Sequence, residues 1–162
     1  MQLYHITDKY IDYLRTFDST VPYNKQETRP YVGVVIKIDD LEYYAPLSSP
    51  KPKHLKMKNS KDFYKIQNGK LGAINFNNMI PVPNTELIQI NILKESDPKY
   101  RRLLQKQYYE IQHNASNISN YAFRLRTMLL KDENQLNNND IKVKSRCCNL
   151  KKLEMAYANY KN

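Results

Sequence analysis

Tyr31-Val-Gly-Val-Val-Ile-Lys-Ile38 is a run dense in β-branched residues, and Leu41-Glu-Tyr-Tyr-Ala-Pro-Leu47 follows it after Asp39-Asp40. β-Branched and aromatic residues favour strands, and paired aspartates are typical of a turn. The sequence therefore predicts an antiparallel β-hairpin over residues 31–47. Gly33, within the first strand, indicates a bulge or a close approach by a neighbouring group.

The second strand of this hairpin runs directly into polar and basic residues. Ser48-Ser49-Pro50-Lys51 follows Leu47, and Lys53-His54 comes two positions later. The prolines stiffen the loop, while hydroxyls and ammonium groups bind phosphate oxygens. Residues 41–54 are therefore the best candidate in this chain for chemistry on a phosphate.

On the N-terminal side, residues 2–6 are predicted as a strand, and Thr7 is predicted to cap a helix. The helix carries Tyr10, Tyr13, Leu14 and Phe17 at helical spacing, and these side chains are expected in the core. Residues 18–30 contain turn formers without an apolar period, so they are predicted to form a long loop that ends at Arg29-Pro30. Long loops in compact domains are often functional.

On the C-terminal side, residues 51–70 carry seven lysines and one histidine. They are predicted to form a flexible basic loop over a nucleic acid, with a merely solvated surface as the alternative. Three short strands are predicted within residues 71–76, 78–82 and 86–92. Pro81 and Pro83 indicate an edge or a strand end.

The last third of the chain changes to helical periodicity. Asp97-Pro98 predicts a helix start, and Lys99, Arg102, Lys106 and His113 are predicted on its polar face. A second helix is predicted over 118–129 after a break near 114–117, and a closing helix is predicted after Asn149. Residues 132–146 are expected to be a polar, partly disordered connection. Strands followed by helices predict an α+β fold, a small twisted antiparallel sheet or half-open barrel flanked by about four helices, in one domain over 1–162.

Charge and hydropathy limit the class of protein. The formal net charge is +10, with 26 Lys and Arg against 16 Asp and Glu, so a polyanion is the expected partner. Nucleic acid is the leading choice, and an acidic membrane surface is the second. With no run of ~18 apolar residues and no signal-peptide pattern at the start, we expect a cytoplasmic protein without a membrane partner.

The sequence offers little support for a structural disulfide, a metal site or a serine hydrolase. The cysteines Cys147 and Cys148 are adjacent, which suits a structural disulfide poorly, so we expect them to be reduced. The three histidines lack zinc-ligand spacing, and neither a metal nor another cofactor is indicated. A serine hydrolase is not favoured, because no Gly-x-Ser-x-Gly motif is present.

RNA cleavage needs a proton removed from the 2′-hydroxyl, charge stabilisation at the phosphate and protonation of the leaving 5′-oxygen. Ser48 and Ser49 could bind the scissile phosphate, Lys51 could supply charge and proton transfer, and Arg29 could add a bidentate contact. The alternative is an ordinary Ser-Ser-Pro turn beside a solvated lysine. His54 and His113 are expected to be surface residues rather than catalysts, although His54 could touch phosphate.

Several segments, in this order along the chain, resemble the ToxN/AbiQ family of bacterial type III toxin–antitoxin endoribonucleases. They are Tyr4, Lys9–Leu14, Arg29–Val35, Tyr44–Lys51, Lys70–Asn75, Met79–Pro81 and Tyr100–Gln107, and the resemblance at Cys148–Leu150 is weaker. The resemblance implies a half-open antiparallel barrel with flanking helices. It also implies metal-independent RNA cleavage through a 2′,3′-cyclic phosphate.

The same resemblance implies partners and site residues. The partners are substrate RNA, expected to be mRNA, and a repeated pseudoknot RNA antitoxin that inhibits the toxin within closed protein–RNA assemblies. The family's active-site motif falls on Ser48, Ser49, Pro50 and Lys51, and its basic and aromatic positions fall on Arg29 and Tyr31. Because some relatives have Lys where Arg29 stands and a guanidinium keeps its proton, Arg29 is better understood as a phosphate clamp.

Around this site, basic residues are expected to bind RNA without acting as catalysts. They are Lys53, His54, Lys56, Lys58, Lys61, Arg102 and Lys106. A non-catalytic RNA-binding module would use the same surface with stacking tyrosines. A membrane-surface protein is a third, weaker alternative, because the apolar face of helix 98–113 is explained by core packing. Which group removes the 2′ proton stays open, with Lys51 as the first choice.

Overall fold

The computed structural model describes residues 1–24 and 26–160. Within them, seven strands form an open antiparallel sheet in the order β4-β5-β3-β2-β1-β7, with β6 paired to β3. Their bounds are β1 Gln2–Ile6, β2 Tyr31–Ile38, β3 Leu41–Ser48, β4 Phe63–Lys65, β5 Ala73–Asn75, β6 Ile80–Pro81 and β7 Leu87–Gln89. The predicted α+β class is confirmed, and the sheet does not close into a barrel.

The helices of the described residues comprise the four that the periodicity predicts and two short ones that it does not. Their bounds are α1 Asp8–Phe17, α2 Pro52–Lys56, α3 Pro98–His113, α4 Ala115–Leu129, α5 Asn138–Lys144 and α6 Leu150–Asn159. The predictions of a flexible loop over 51–70 and of a disordered connection over 132–146 are therefore wrong. Helices of five and seven residues are too short to show a 3.6-residue period against a polar background.

Local capping explains where the predicted helices begin. The Thr7 hydroxyl accepts a hydrogen bond from the Tyr10 amide, and the Asp97 carboxylate accepts from the amides of Lys99 and Tyr100. Each cap satisfies amides that the first helical turn leaves without a partner. Tyr10 is buried as predicted, but Phe17 is 37% exposed, so its assignment to the core is wrong.

The central hairpin forms as predicted. Tyr31 lies opposite Pro46, Lys37 lies opposite Glu42, and the register shifts between Val32 and Ile36. A Cβ atom at Gly33 would lie 2.1 Å from a ring carbon of Tyr44. Gly33 thus allows a close approach within an irregular strand, as the sequence indicates.

The helices pack against the sheet around one hydrophobic core. A polar network joins three elements at its edge: the Arg126 Nε on α4 donates to the Tyr43 hydroxyl on β3 at 2.7 Å and to Glu154 on α6 at 3.1 Å. The same Glu154 carboxylate accepts from the Tyr43 hydroxyl at 2.5 Å.

Among the residues described, no helix is long and apolar enough to span a bilayer.

Candidate active site

The hairpin brings the two candidate phosphate-binding segments together. Ser48 is the last residue of β3, and β3 runs antiparallel to β2. Beyond the pair Tyr31–Pro46, the Leu47 amide donates to the Pro30 carbonyl at 2.8 Å. Continuing this antiparallel register places Arg29 beside Ser48. The hairpin therefore brings the backbones of the two predicted residues Arg29 and Ser48 near each other.

The backbone of Ser48 is fixed from behind. The buried Gln107 amide on α3 donates to the carbonyls of Ser48 at 3.3 Å and Leu71 at 2.6 Å, and the Ser48 hydroxyl donates to the Ala73 carbonyl at 3.2 Å. Gly72 lies so close that a Cβ there would sit 1.9 Å from the Ser48 carbonyl oxygen. Gly72 also has φ +95°, a conformation that favours glycine. The end of β3 is thus held rigidly.

Lys51 lies where this rigid strand end turns into α2. Pro52 occupies the first turn of α2, and the His54 amide donates to the Lys51 carbonyl at 2.9 Å. Ser49 and Lys51 are exposed. A hydroxyl and an ammonium group are therefore presented to solvent by a loop whose two ends are both anchored, which suits preorganised binding of a phosphate.

Arg29 is held by a different set of contacts. Its Nη2 and Nε donate to the Tyr23 carbonyl at 2.9 and 3.2 Å, and its own carbonyl accepts from His5 Nδ1 at 3.2 Å. Asp8 anchors the preceding loop by accepting from the Asn24 side-chain amide at 2.9 Å. The predicted 18–30 loop is ordered by polar side chains over its described part; Lys25 lies outside the described residues.

Tyr31 lies behind the site and not in it. Its side chain is fully buried, and its hydroxyl has no hydrogen-bond partner among the residues described. Burial raises the pKa of Tyr31 well above its usual value. The expected direct catalytic role of Tyr31 is therefore not supported by this geometry, because the hydroxyl is out of reach of solvent and remains protonated.

His54 is also buried, with 2% of its surface exposed, so the prediction of a surface histidine is wrong. Within the described chain its Nδ1 has no partner, and its ring lies 5.5 Å from that of Phe63. Burial lowers the pKa of His54, and the charges of Lys53 and Lys51 lower it further. His54 packs α2 onto the molecule, and the structure does not place it where RNA could touch it.

The other predicted RNA-binding residues are exposed. Lys53, Lys56 and Lys58 lie on or just after α2, and Arg102 and Lys106 lie on the same helix as Gln107. Lys61 is exposed but forms an ion pair with Asp140. Lys53, Lys56, Arg102 and Lys106 lie on α2 and α3, and Lys58 and Lys61 lie in the segment that follows α2. Exposed cations near one another are what a polyanion-binding surface needs.

Metal-ligating side chains and thiols are two further kinds of reactive group in this chain. Among the described residues, no group of three or more His, Cys, Asp or Glu could hold a metal ion. Cys147 and Cys148 are free and buried, and burial raises the pKa of each thiol to about 12. Both cysteines are therefore protonated and unreactive at neutral pH.

Sequence reasoning missed the residues that support the site. Gln107 stands among apolar residues on the inner face of α3, and a lone amide on a core face was the available signal. For Gly72 no signal in the sequence indicates which backbone it touches. His5 approaches Arg29 through a strand pairing between distant parts of the chain, which spacing does not show.

Comparisons with known proteins find relatives in sequence and in fold. The family model "Toxin ToxN, type III toxin-antitoxin system" matches residues 2–158. An endoribonuclease ToxN from Bacillus thuringiensis subsp. kurstaki is 36% identical, over 96% of this chain and 82% of that protein. A structure from work on selective toxin inhibition by a non-coding RNA pseudoknot superimposes with a TM-score of 0.81 at 32% identity, covering 98% of each chain. The structure of AbiQ, a lactococcal anti-phage endoribonuclease, superimposes with a TM-score of 0.76 at 28% identity and the same coverage.

Proposed function

Since this chain belongs to the ToxN family of type III toxin–antitoxin systems, we propose that it is an endoribonuclease toxin whose site is formed by Ser48, Ser49, Lys51 and Arg29. The observation that carries the proposal is the exposed pair Ser49 and Lys51 on a loop anchored at both ends. Arg29 is included because its neighbour Pro30 accepts a hydrogen bond from the Leu47 amide, at the start of the same loop. The proposed reaction is a metal-independent transesterification of RNA.

In this reaction the 2′-hydroxyl loses its proton, its oxygen attacks the adjacent phosphorus, and the bond from phosphorus to the 5′-oxygen breaks. The leaving 5′-oxygen takes up a proton from water, so that no net proton is gained or lost. The products are a 2′,3′-cyclic phosphate and a 5′-hydroxyl. We assign the 2′-proton transfer to Lys51, and stabilisation of the added negative charge to Ser49 and Arg29. Ser48 already donates to a backbone carbonyl, so it serves chiefly to position its neighbour. Arg29 keeps its proton and acts as a clamp on phosphate.

The natural regulator, in this proposal, is a small repeated RNA that folds as a pseudoknot and assembles with the toxin in the cytoplasm into a closed complex. Inhibition by RNA is supported by the similar structure studied with a pseudoknot inhibitor. An RNA that occupies the cationic surface in an uncleavable geometry excludes substrate, expected to be mRNA, by competition. The anti-phage activity of AbiQ supports a role of this toxin in abortive infection.

The test is incubation of purified protein with RNA in EDTA, followed by analysis of the product ends. A 2′,3′-cyclic phosphate and a 5′-hydroxyl are expected. Tight binding of RNA that stays intact would instead favour a non-catalytic RNA-binding module, which the exposed Lys53, Lys56, Arg102 and Lys106 would also serve. Cleavage that stops in EDTA would contradict the metal-independent mechanism.

A further inference from the structure

A groove of about 730 Å³ opens between α4, α5 and the segment before β4, on residues that, apart from Lys61, the candidate site does not use. Its apolar part is formed by Tyr121, Leu125, Met128 and Val143, and Phe123 is 52% exposed at its edge. A half-exposed phenylalanine beside an apolar floor offers a stacking surface for a planar ring.

Positive charge surrounds this floor. Lys61, Arg124, Lys131 and Arg146 line the groove, and Asp140 is the carboxylate among the lining residues. Asp140 is paired with Lys61, and Asp62 binds Arg146 with two hydrogen bonds of 2.6 and 2.7 Å. Arg124 and Lys131 are exposed beside Phe123 and Met128, so the groove combines an aromatic surface with cations. That combination matches the base and the phosphate of a single-stranded nucleotide.

A basic segment connects the groove to the proposed active site. Lys51 begins α2, the chain then passes Lys53, Lys56 and Lys58, and Lys61 lies at the groove. The ten steps along the chain from Lys51 to Lys61 span at most about 35 Å when fully extended, and the turn of helix shortens the path. A strand of several nucleotides is therefore long enough to reach from Lys51 to Lys61.

We propose that this groove, defined by Phe123, Arg124 and Lys131, is a second RNA-binding site that holds an unpaired nucleotide of a strand that also occupies the active site. The inference rests on the proposed function. Phe123 stacks on the base, and Arg124 and Lys131 bind the adjacent phosphates. The site binds without cutting, since it lacks the anchored hydroxyl-bearing loop of Ser48–Lys51.

The test measures binding of single-stranded oligonucleotides that contain 2′-deoxyribose throughout and so offer no 2′-hydroxyl nucleophile. Four-nucleotide and twelve-nucleotide probes of random sequence are compared. Phe123→Ala is expected to weaken binding of the long probe by about tenfold and to leave the short probe unchanged. Arg124→Gln with Lys131→Gln is expected to reduce the slope of log affinity against log salt for the long probe by about 1.4.

Two exposed residues elsewhere provide the controls. Leu93→Ala and Lys94→Gln should change neither the affinity for the long probe nor its salt slope. Equal affinity of wild type and Phe123→Ala for the long probe, with an unchanged salt slope in the double variant, would overturn the second site. Cleavage of a short RNA is measured in parallel and should be the same in all variants. If wild-type protein cuts no RNA, the proposed function fails, while the two binding measurements still decide the groove.

Discussion

The two loops that meet at the candidate site are held in different ways. Residues 48–51 continue a central strand, and Ser48 is fixed by the close approach of Gly72 and by a hydrogen bond from the buried Gln107 side chain. Arg29, by contrast, ends a loop ordered by polar side chains at the surface, and its guanidinium donates to the Tyr23 carbonyl. The comparison indicates that the first loop supplies fixed geometry for catalysis and the second supplies an adjustable clamp on phosphate.

Among changes outside the proposed catalytic residues, the largest effect should come from breaking the rigid loop. Gly72→Ala should push the Ser48 carbonyl away, since the new Cβ would lie 1.9 Å from its oxygen. We expect RNA cleavage to fall about 100-fold, because misplacement of the site costs that much. The free energy of unfolding should fall by about 2–4 kcal/mol from steric overlap and the positive φ.

Gly33→Ala is the matched control, since it also creates a clash, but with the Tyr44 ring in the middle of the hairpin. It should reduce the stability measured by urea denaturation while the folded fraction cleaves RNA normally. A Gly72→Ala protein that folds and retains wild-type cleavage would show that the end of β3 need not be rigid.

The sequence predicts the strands that lead to the site better than the structure and burial of the residues beside it. The β-branched runs and the Asp39-Asp40 turn define the hairpin, and Ser48–Lys51 follow from it directly. The helix that begins after Lys51 and the burial of His54 could not be predicted, because lysines and a histidine in a polar segment are typical of an exposed loop. Tyr31 shows the same difficulty, since its position in the chain is beside the site and its side chain points into the core.

A smaller effect is expected in the surface-held loop. Arg29→Ala should raise KM for RNA by about tenfold with kcat little changed, because removal of a charged hydrogen bond to phosphate costs about 1.5 kcal/mol. Arg29→Lys should restore part of the affinity, since the charge remains. Steady-state kinetics separates the two constants. A loss confined to kcat would assign Arg29 to the chemical step and remove the distinction between the two loops.

The smallest effect concerns the pH dependence of stability that arises from His54, which packs α2 against the rest of the protein. The pKa of His54 is lowered in the folded state, so the unfolded chain binds the proton more readily below its usual pKa of about 6.5. Stability is therefore fully present above that pH and is lost as the pH falls towards the folded pKa. The loss is at most about 1.4 kcal/mol per pH unit.

Urea denaturation of wild type and His54→Phe at pH 7.5 and pH 5.5 measures this contribution. The wild type should lose more stability between the two values than the variant does. Identical losses would mean that His54 titrates normally and that α2 is packed less tightly than its burial indicates.

The central claim is that the loop of Ser48–Lys51 forms the active site. Cleavage by Lys51→Ala and Ser49→Ala variants tests this claim most directly. Both side chains are exposed, so both variants should fold with wild-type stability. We predict that Lys51→Ala lowers RNA cleavage by at least about 100-fold, as expected for loss of a group that transfers a proton. Ser49→Ala should also abolish detectable cleavage and growth arrest in cells. Cleavage at the wild-type rate by both folded variants would contradict the assignment of the active site to this loop.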